Sequence, residues 1–393
     1  MPEFEVEVEV EIEIEIERPL LAAFPRLRSR LPFLPLAVLP TPLQALEALS
    51  AHAGAEIWAK RDGLTHPVYG GNKLRKFEFV FGDVQRKGAR AVLTGGGLGS
   101  HHTLATAVVA RQLGLQAVCS YYCQPLVDEV YTNLRLSASL GVDAHFCGDY
   151  PGLAVSFLWQ YVHWLLRTGR PPYFIYPGAS GVLGTLGYVN AAFEIRDQCR
   201  ALGLAEPDEI WVAAGSCGTF AGLLLGARLA GLGSRVAGVR VIEEDVANPA
   251  KVARLACRTA AYLRRLDPSV PRVVIAAGEV DLRDGTGGRP YAFPTPEALA
   301  AVELVARLEG LPLETTYTGK AMAALLEWAR QRPGARLLFV DTCAEALALE
   351  EGDYHALPRA FWPIFEPGVQ ARCWCGRGHR EPGFCWKACR ERR

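Results

Sequence analysis

The sequence predicts an α/β protein with two open, twisted parallel sheets and flanking helices, on three observations. Short apolar strands alternate with stretches of helical period, glycine-rich turns follow strands directly, and half of the 393 residues are hydrophobic, enough for a sizeable core over roughly two or three domains. Alternation of this kind is how parallel strands joined by crossover helices read in sequence. In open sheets, ligands bind at the carboxyl ends of the strands, where such turns lie.

Along the chain, residues 3–17 alternate Glu with Phe, Val or Ile. That period of two puts the carboxylates on one face of an extended segment and the apolar side chains on the other. The Glu row repels a stacking partner, so the segment reads as an extension outside the core. From about Pro40 the spacing predicts a strand at 56–60, a helix at 72–87, a strand at 91–94, a helix at 100–113, a strand at 116–122 and a helix near 127–140. The second half repeats the theme with a strand at 209–214, a helix at 219–229, a strand at 236–242, a long helix near 247–266, and strands at 272–277 and 336–340. No repeat of fixed period is present.

Bulk properties exclude several functions. Lys plus Arg and Asp plus Glu both number 42, so no net field favours nucleic acid or an anionic membrane, and a small neutral or zwitterionic substrate fits better. The longest apolar run, 154–166, is broken by Gln160 and His163 and is too short for a bilayer core of about 30 Å. The acidic N-terminus is unlike a secretory leader, and the expected location is cytoplasmic. Eleven cysteines are spread along the chain. Cys119, Cys123, Cys147, Cys199, Cys217 and Cys257 fall mostly in apolar segments, as reduced core residues do, and no disulfide framework is expected.

The chemistry centres on Gly70-Gly71-Asn72-Lys73-Leu74-Arg75-Lys76. A lysine at its ordinary pKa of about 10.4 is protonated at neutral pH, and desolvation or neighbouring positive charge releases its lone pair. Lys73, just after a glycine turn and beside two cations, is a candidate Schiff-base former; the other reading of this string is a solvated basic turn. The strand at 209–214 runs into Gly215-Ser216-Cys217-Gly218-Thr219 and a helix, so free N–H groups and a positive helix end converge as a phosphate cradle. A dinucleotide is the alternative occupant, because Glu243 and Glu244 end the next strand where a ribose-binding acid belongs, though the G-x-G-x-x-G register is lacking. Thr94-Gly95-Gly96-Gly97-Leu98-Gly99-Ser100 also joins strand to helix, but its following strand ends in Cys119-Ser120-Tyr121 without an acid. Neither turn carries a nucleotide-triphosphate loop. Ser100, His101 and His102 open a helix, where N–H donors suit a substrate carboxylate and a hydroxyl or imidazole handles a proton; Ser100 is equally a good N-cap.

Taken in order, these segments resemble the fold-type II pyridoxal-phosphate enzymes, whose fold is that of the tryptophan synthase β-subunit. Within that group they look most like the D-cysteine desulfhydrase and 1-aminocyclopropane-1-carboxylate (ACC) deaminase family. The likeness runs from Leu39-Pro40-Thr41-Pro42-Leu43 to about Thr342 and takes in Lys60-Arg61-Asp62, 70–76, 95–102, 178–188, 215–222 and Tyr317-Thr318-Gly319-Lys320-Ala321. It implies pyridoxal 5'-phosphate as cofactor, with Lys73 condensing with its aldehyde and Asn72 and His101 beside it. Lys76 would neutralise the phosphate held by Gly215, Ser216, Cys217, Gly218 and Thr219, and Thr342 would face the ring nitrogen. Ser100, His101, His102, Tyr291 and Tyr317 would meet the substrate, with Lys73, Ser100 and Tyr317 catalytic.

Two departures stand out: His101 replaces the family's Asn, bringing a group that titrates near neutrality. Asp341-Thr342-Cys343-Ala344 replaces His-Thr-Gly-Gly, losing two glycines at a ligand turn and adding a carboxylate near the ring nitrogen. The implied domains are an acidic extension (1–20), a large cofactor domain (21–82 and 183–350), a small inserted domain (83–182) and a Cys-rich tail (351–393). The implied reaction is elimination and deamination of a small amino acid, D-cysteine giving pyruvate, sulfide and ammonia, by a homodimer. The ACC deaminase branch tends to carry Glu after the tyrosine, where this chain has Thr318. Rival readings are a nucleotide-dependent oxidoreductase using the Gly215 turn and Glu243, and a non-catalytic amino-acid-binding relative. Cys373, Cys375, Cys385, Cys389 and His379 do not form a standard zinc ladder, so no metal is expected. Lys320 reads as a solvated helix lysine.

Overall fold

A computed structural model describes residues 18–289, 291–344 and 348–366. The Glu-alternating run 3–17 and the tail residues Cys373, Cys375, Cys385, Cys389 and His379 lie outside the described residues.

The described residues begin with α1 (Pro19–Ala23), β1 (Leu43–Ala45), α2 (Glu47–Ala53), β2 (Glu56–Arg61) and α3 (Lys73–Arg86). It then builds a four-stranded unit from β3 (Ala91–Gly97), α4 (His101–Gln112), β4 (Gln116–Tyr122), α5 (Asp128–Ser139), β5 (Asp143–Gly148), α6 (Tyr150–Thr168) and β6 (Tyr173–Phe174). Its strands lie in the order β5-β4-β3-β6, all parallel. The rest is α7 (Val182–Ala201), β7 (Glu209–Ala214), α8 (Gly218–Ala230), β8 (Arg235–Arg240), α9 (Pro249–Leu266), β9 (Asp281–Asp284), α10 (Pro296–Glu309), α11 (Thr318–Arg330) and β10 (Arg336–Asp341). These strands join β1 and β2 in a six-stranded sheet ordered β1-β2-β10-β7-β8-β9, parallel except for the edge pairing of β1 with β2. The α/β class and the parallel sheets with flanking helices are therefore as the sequence indicated.

The central strands read as continuous apolar runs because both faces are covered. In the large sheet Ile210 and Val212 face the core under α7, α8 and α9, while Trp211 and Ala213 face the core under α2, α10 and α11. Close helix contacts rest on missing side chains. A Cβ at Gly187 would stand 2.2 Å from Arg75 O where α7 meets α3, and one at Gly222 would stand 2.6 Å from Tyr188 Cβ where α8 meets α7.

The run 272–277 is not a strand. Val273 and Ile275 pack inward, Val274 stays exposed, and Ile275 N donates to Cys257 Sγ of α9 at 3.3 Å. Alternation there is satisfied against a helix, and the sheet edge is instead β9, a few residues on. α9 starts at Pro249, two residues later than expected, because Asn248 caps it by accepting from Lys251 N.

Candidate active site

The carboxyl ends of β3, β7, β8 and β10 converge on one cavity of about 350 Å³. The start of α3 supplies Asn72, Lys73 and Lys76 to its lining. Lys73 Nζ donates to Asn72 Oδ1 at 2.6 Å, and Asn72 Nδ2 donates to Thr219 Oγ1 at 3.2 Å, so one amide links the amine to the glycine turn after β7. Burial lowers the Lys73 amine to about 8, against a weaker opposing pull from Glu314.

The two cations expected to help that activation, Arg75 and Lys76, are not its cause: burial is. Arg75 lies on the far side of α3, fully buried, with its guanidinium on Asp62 at 2.9 and 2.8 Å and on Glu194 at 2.8 Å. Residues two apart on a helix do not share a face, whereas Lys76, three on, does. Lys76 is itself pushed well below its usual range, first by burial and then by the charge of Lys73.

Around Lys76 the chain forms an anion cradle. Lys76 Nζ donates to Gly178 O and to Ser180 Oγ at 3.2 Å. Ser180 Oγ also accepts from Gly218 N at 3.1 Å and pairs with Ser216 Oγ at 2.7 Å. Cys217 adopts a left-handed φ of 75° at the N-cap of α8, directing the first N–H groups of that helix at the same place. A Cβ on Gly218 would lie 2.6 Å from Ser180 Oγ and 2.8 Å from Lys76 Nζ, so glycine alone leaves the cradle open. Ser180 escaped sequence reasoning as a site residue. The signal was there, since Gly178-Ala179-Ser180-Gly181 is a small-residue turn directly before a long helix.

The opposite wall is built on β3, α4 and a group of tyrosines. Ser100 lines the cavity and caps α4, accepting from Thr103 N at 3.4 Å. His101 Nδ1 lies 3.0 Å from Tyr69 OH, and burial together with the charge of Lys73 pushes its imidazole down to about 4. His101 is therefore neutral throughout the physiological range, contrary to the expectation that it titrates near neutrality. His102 borders the cavity with its Nε2 2.8 Å from Thr94 Oγ1 and its ring against Phe77. Tyr291 OH and Tyr317 OH meet at 2.6 Å. Each of these tyrosines hangs on a carboxylate. Glu243 Oε1 accepts from Tyr291 N at 3.0 Å, and Glu314 accepts from the N–H groups of Thr316, Tyr317 and Thr318 at 2.6 to 3.0 Å. Glu243 does not line the cavity, which removes the ribose-gripping acid that a dinucleotide needs.

Thr342 closes the base of the cavity with Cys343 and Ala344. Asp341 does not line it. The Asp341 carboxylate lies 3.6 Å from Arg61 Nε and accepts from Cys343 N at 3.1 Å, so the expected extra charge beside the ring position is turned away. The lost glycines are harmless to the backbone as well, because among the described residues the non-glycine positions of positive φ are Ala179, Cys217 and Ala292. Lys320 is buried, not solvated, and lies outside this cavity.

The family model for pyridoxal-phosphate dependent enzymes matches residues 34–342. D-cysteine desulfhydrase of Klebsiella pneumoniae (strain 342) is 36% identical over 322 residues, which is 80% of this chain and 94% of that protein. The D-cysteine desulfhydrase of Yersinia pestis (strain Pestoides F) is 36% identical over 311 residues, covering 77% of this chain and 90% of its own. Among solved structures, a crystal structure of an ACC deaminase homologue superposes with a TM-score of 0.72 at 32% identity, covering 83% of this chain and 95% of that one. A crystal structure of the T.th. threonine deaminase shares the fold, with a TM-score of 0.54 at 20% identity over 82% of this chain and 96% of that one.

Proposed function

The chain belongs to the pyridoxal-phosphate dependent enzymes, and from that premise we propose that it cleaves D-cysteine, with one water, to pyruvate, sulfide and ammonia. The observation that carries this reading is a buried lysine of lowered pKa sharing one cavity with a glycine-lined anion cradle. The fit to the cofactor rests on that cradle: Lys76, Ser180, Ser216, Thr219 and the N–H of Gly218 suit a phosphate dianion, and the glycines leave it room. When bound, pyridoxal phosphate supplies an aldehyde for an amine and a ring that accepts the electrons released at the substrate's α-carbon.

The protein's own part is to position groups and move protons. Lys73 Nζ, held by Asn72 and largely desolvated, is the amine that would meet that aldehyde and the base that would carry the α-proton. Ser100 and the N–H groups at the start of α4 receive the substrate carboxylate. The coupled hydroxyls of Tyr291 and Tyr317 face the β-substituent, where a shared proton serves a departing thiolate. Neutral His101, tied to Tyr69, would offer the cofactor ring an uncharged hydrogen-bonding group, and Thr342 would offer its nitrogen a hydroxyl partner.

D-cysteine is favoured over a cyclopropane amino acid by Thr318. Its buried hydroxyl donates to Glu314 Oε1 at 2.9 Å, and a Glu in its place would set two carboxylates together. We further read residues 21–82 with 183–350 as the cofactor-holding domain, 83–182 as the inserted one, and the working form as a cytoplasmic homodimer. No described helix is long and apolar enough to cross a membrane.

Purified protein mixed with cofactor is expected to release sulfide and pyruvate in equal amounts from D-cysteine. The visible band gained with cofactor should vanish in Lys73→Ala. Cofactor uptake with no product from D-cysteine or a β-substituted D-alanine would refute the activity.

A further inference from the structure

Helix α6 is apolar on two faces, and the described chain covers one of them. Its inner stripe, Leu153, Phe157, Gln160 and Trp164, follows the 4-3-4 spacing of a single helix face. Phe157 and Trp164 pack with Phe174 on Ala91, Leu93 and Val118 of the small sheet. The sheet's other face carries Val92, Ala117 and Cys119 into the core under α4, so α6 is the outermost layer here. Val155, Leu158, Trp159, Val162, Leu165 and Leu166 point away from the sheet, between 39 and 80% exposed. A water-facing helix surface normally carries charge, yet no Asp, Glu, Lys or Arg occurs between residues 150 and 166.

Single exposed apolar residues need no explanation; a continuous stripe of this size does. With Tyr161 the stripe offers on the order of 700 Å², near the roughly 800 Å² each partner contributes to a stable interface. Its 3-1-3-3-1 spacing keeps one straight seam along the helix, which can lie antiparallel on an identical seam with Trp159 and Val162 near the axis. A membrane surface would call for a row of Lys or Arg beside the apolar face, and only Arg167 is present, at the last turn. A charged partner would find no complement.

We infer that the outer face of α6 is where two copies of this chain pair about a two-fold axis. This rests on the two-copy reading proposed above and names its surface. The consequence reaches the active site, because Tyr150 and Leu153 at the start of α6 line the cavity. Ser156 Oγ also bonds Ser120 Oγ of β4 at 2.8 Å, two residues from the cavity-lining Tyr122. Pairing thus braces that wall from outside.

The test is sedimentation of the full, cofactor-loaded chain and of Leu158→Glu/Leu166→Glu, with Val274→Glu as an exposed apolar control elsewhere. The wild type and the control should sediment as two chains. The double variant should sediment as one chain with an unchanged near-ultraviolet circular dichroism spectrum, its dissociation constant raised at least about tenfold. A double variant that still pairs overturns the assignment of α6 and leaves the two-copy reading standing; a wild type of one chain overturns both. Should the double variant misfold, Trp159→Arg alone gives the same discrimination.

Discussion

An amine whose pKa burial holds near 8 is about half neutral at pH 8 and almost fully protonated at pH 6, so the pH at which Lys73 attacks an aldehyde follows from its surroundings. The rate of cofactor uptake by the cofactor-free protein is accordingly expected to climb with pH and level off above about 8. A surface lysine would still be gaining near 10. Stopped-flow absorbance from pH 6 to 10 measures this, and a rate still rising steeply above pH 9 would contradict the assigned environment. His101 gives the complementary case. Burial and the Lys73 charge both disfavour its imidazolium, so its charge changes near 4 and the holoenzyme's visible spectrum should show no histidine inflection between pH 5.5 and 7.5. His101→Asn preserves a neutral hydrogen-bonding side chain and should keep turnover within about tenfold, short of the roughly hundredfold or more that losing a general acid–base group costs.

At the scale of the element, α3 aims Lys73 because its far side is locked. Arg75 joins the carboxylates of Asp62, after β2, and Glu194, on α7, while Lys60 Nζ also reaches Glu194 and Thr41 Oγ1 bonds Asp62. The surrounding charges hold the Glu194 carboxyl down at about 2. Arg75→Leu leaves two buried carboxylates short of a partner, and denaturant titration should show a loss of about 3 to 5 kcal/mol. A loss under about 1 kcal/mol would mean the cluster does not anchor the helix. None of this was legible in the sequence, where Arg75 is one more cation in a basic string. The bounds of α3 itself were legible within a residue, because glycines and a strong apolar period frame it. Strands of two or three residues, β1 and β6, carry too little pattern to be seen, and a β-branched run such as 272–277 reads as a strand whether a sheet or a helix receives it. The site was legible wherever a glycine turn met a helix start; the tyrosine-bearing carboxylates Glu243 and Glu314 were not, since nothing in one dimension couples them to the residues they hold.

Across the whole molecule, the cavity wall is shared by two separate sheets. Gly95, Gly96 and Gly97 come from the four-stranded sheet, whereas the Gly215 turn and Thr342 come from the six-stranded one. The Lys76–Ser180–Gly218 cradle ties three helix starts, those of α3, α7 and α8, to one anion position. A ligand that binds only the folded chain stabilises it by mass action, about 2.7 kcal/mol at a hundred times its dissociation constant. For a chain of this size the melting midpoint should rise by roughly 3 °C on adding pyridoxal phosphate at that level. The rise should shrink in Gly218→Ala, where the added methyl would stand 2.6 Å from Ser180 Oγ. It should persist in part in Lys73→Ala, since the phosphate grip stays intact when the covalent link is lost. Thermal denaturation with and without cofactor separates these contributions. If Lys73→Ala abolished the shift while Gly218→Ala retained it, the covalent bond alone would hold the ligand and the anion cradle would have no part in binding.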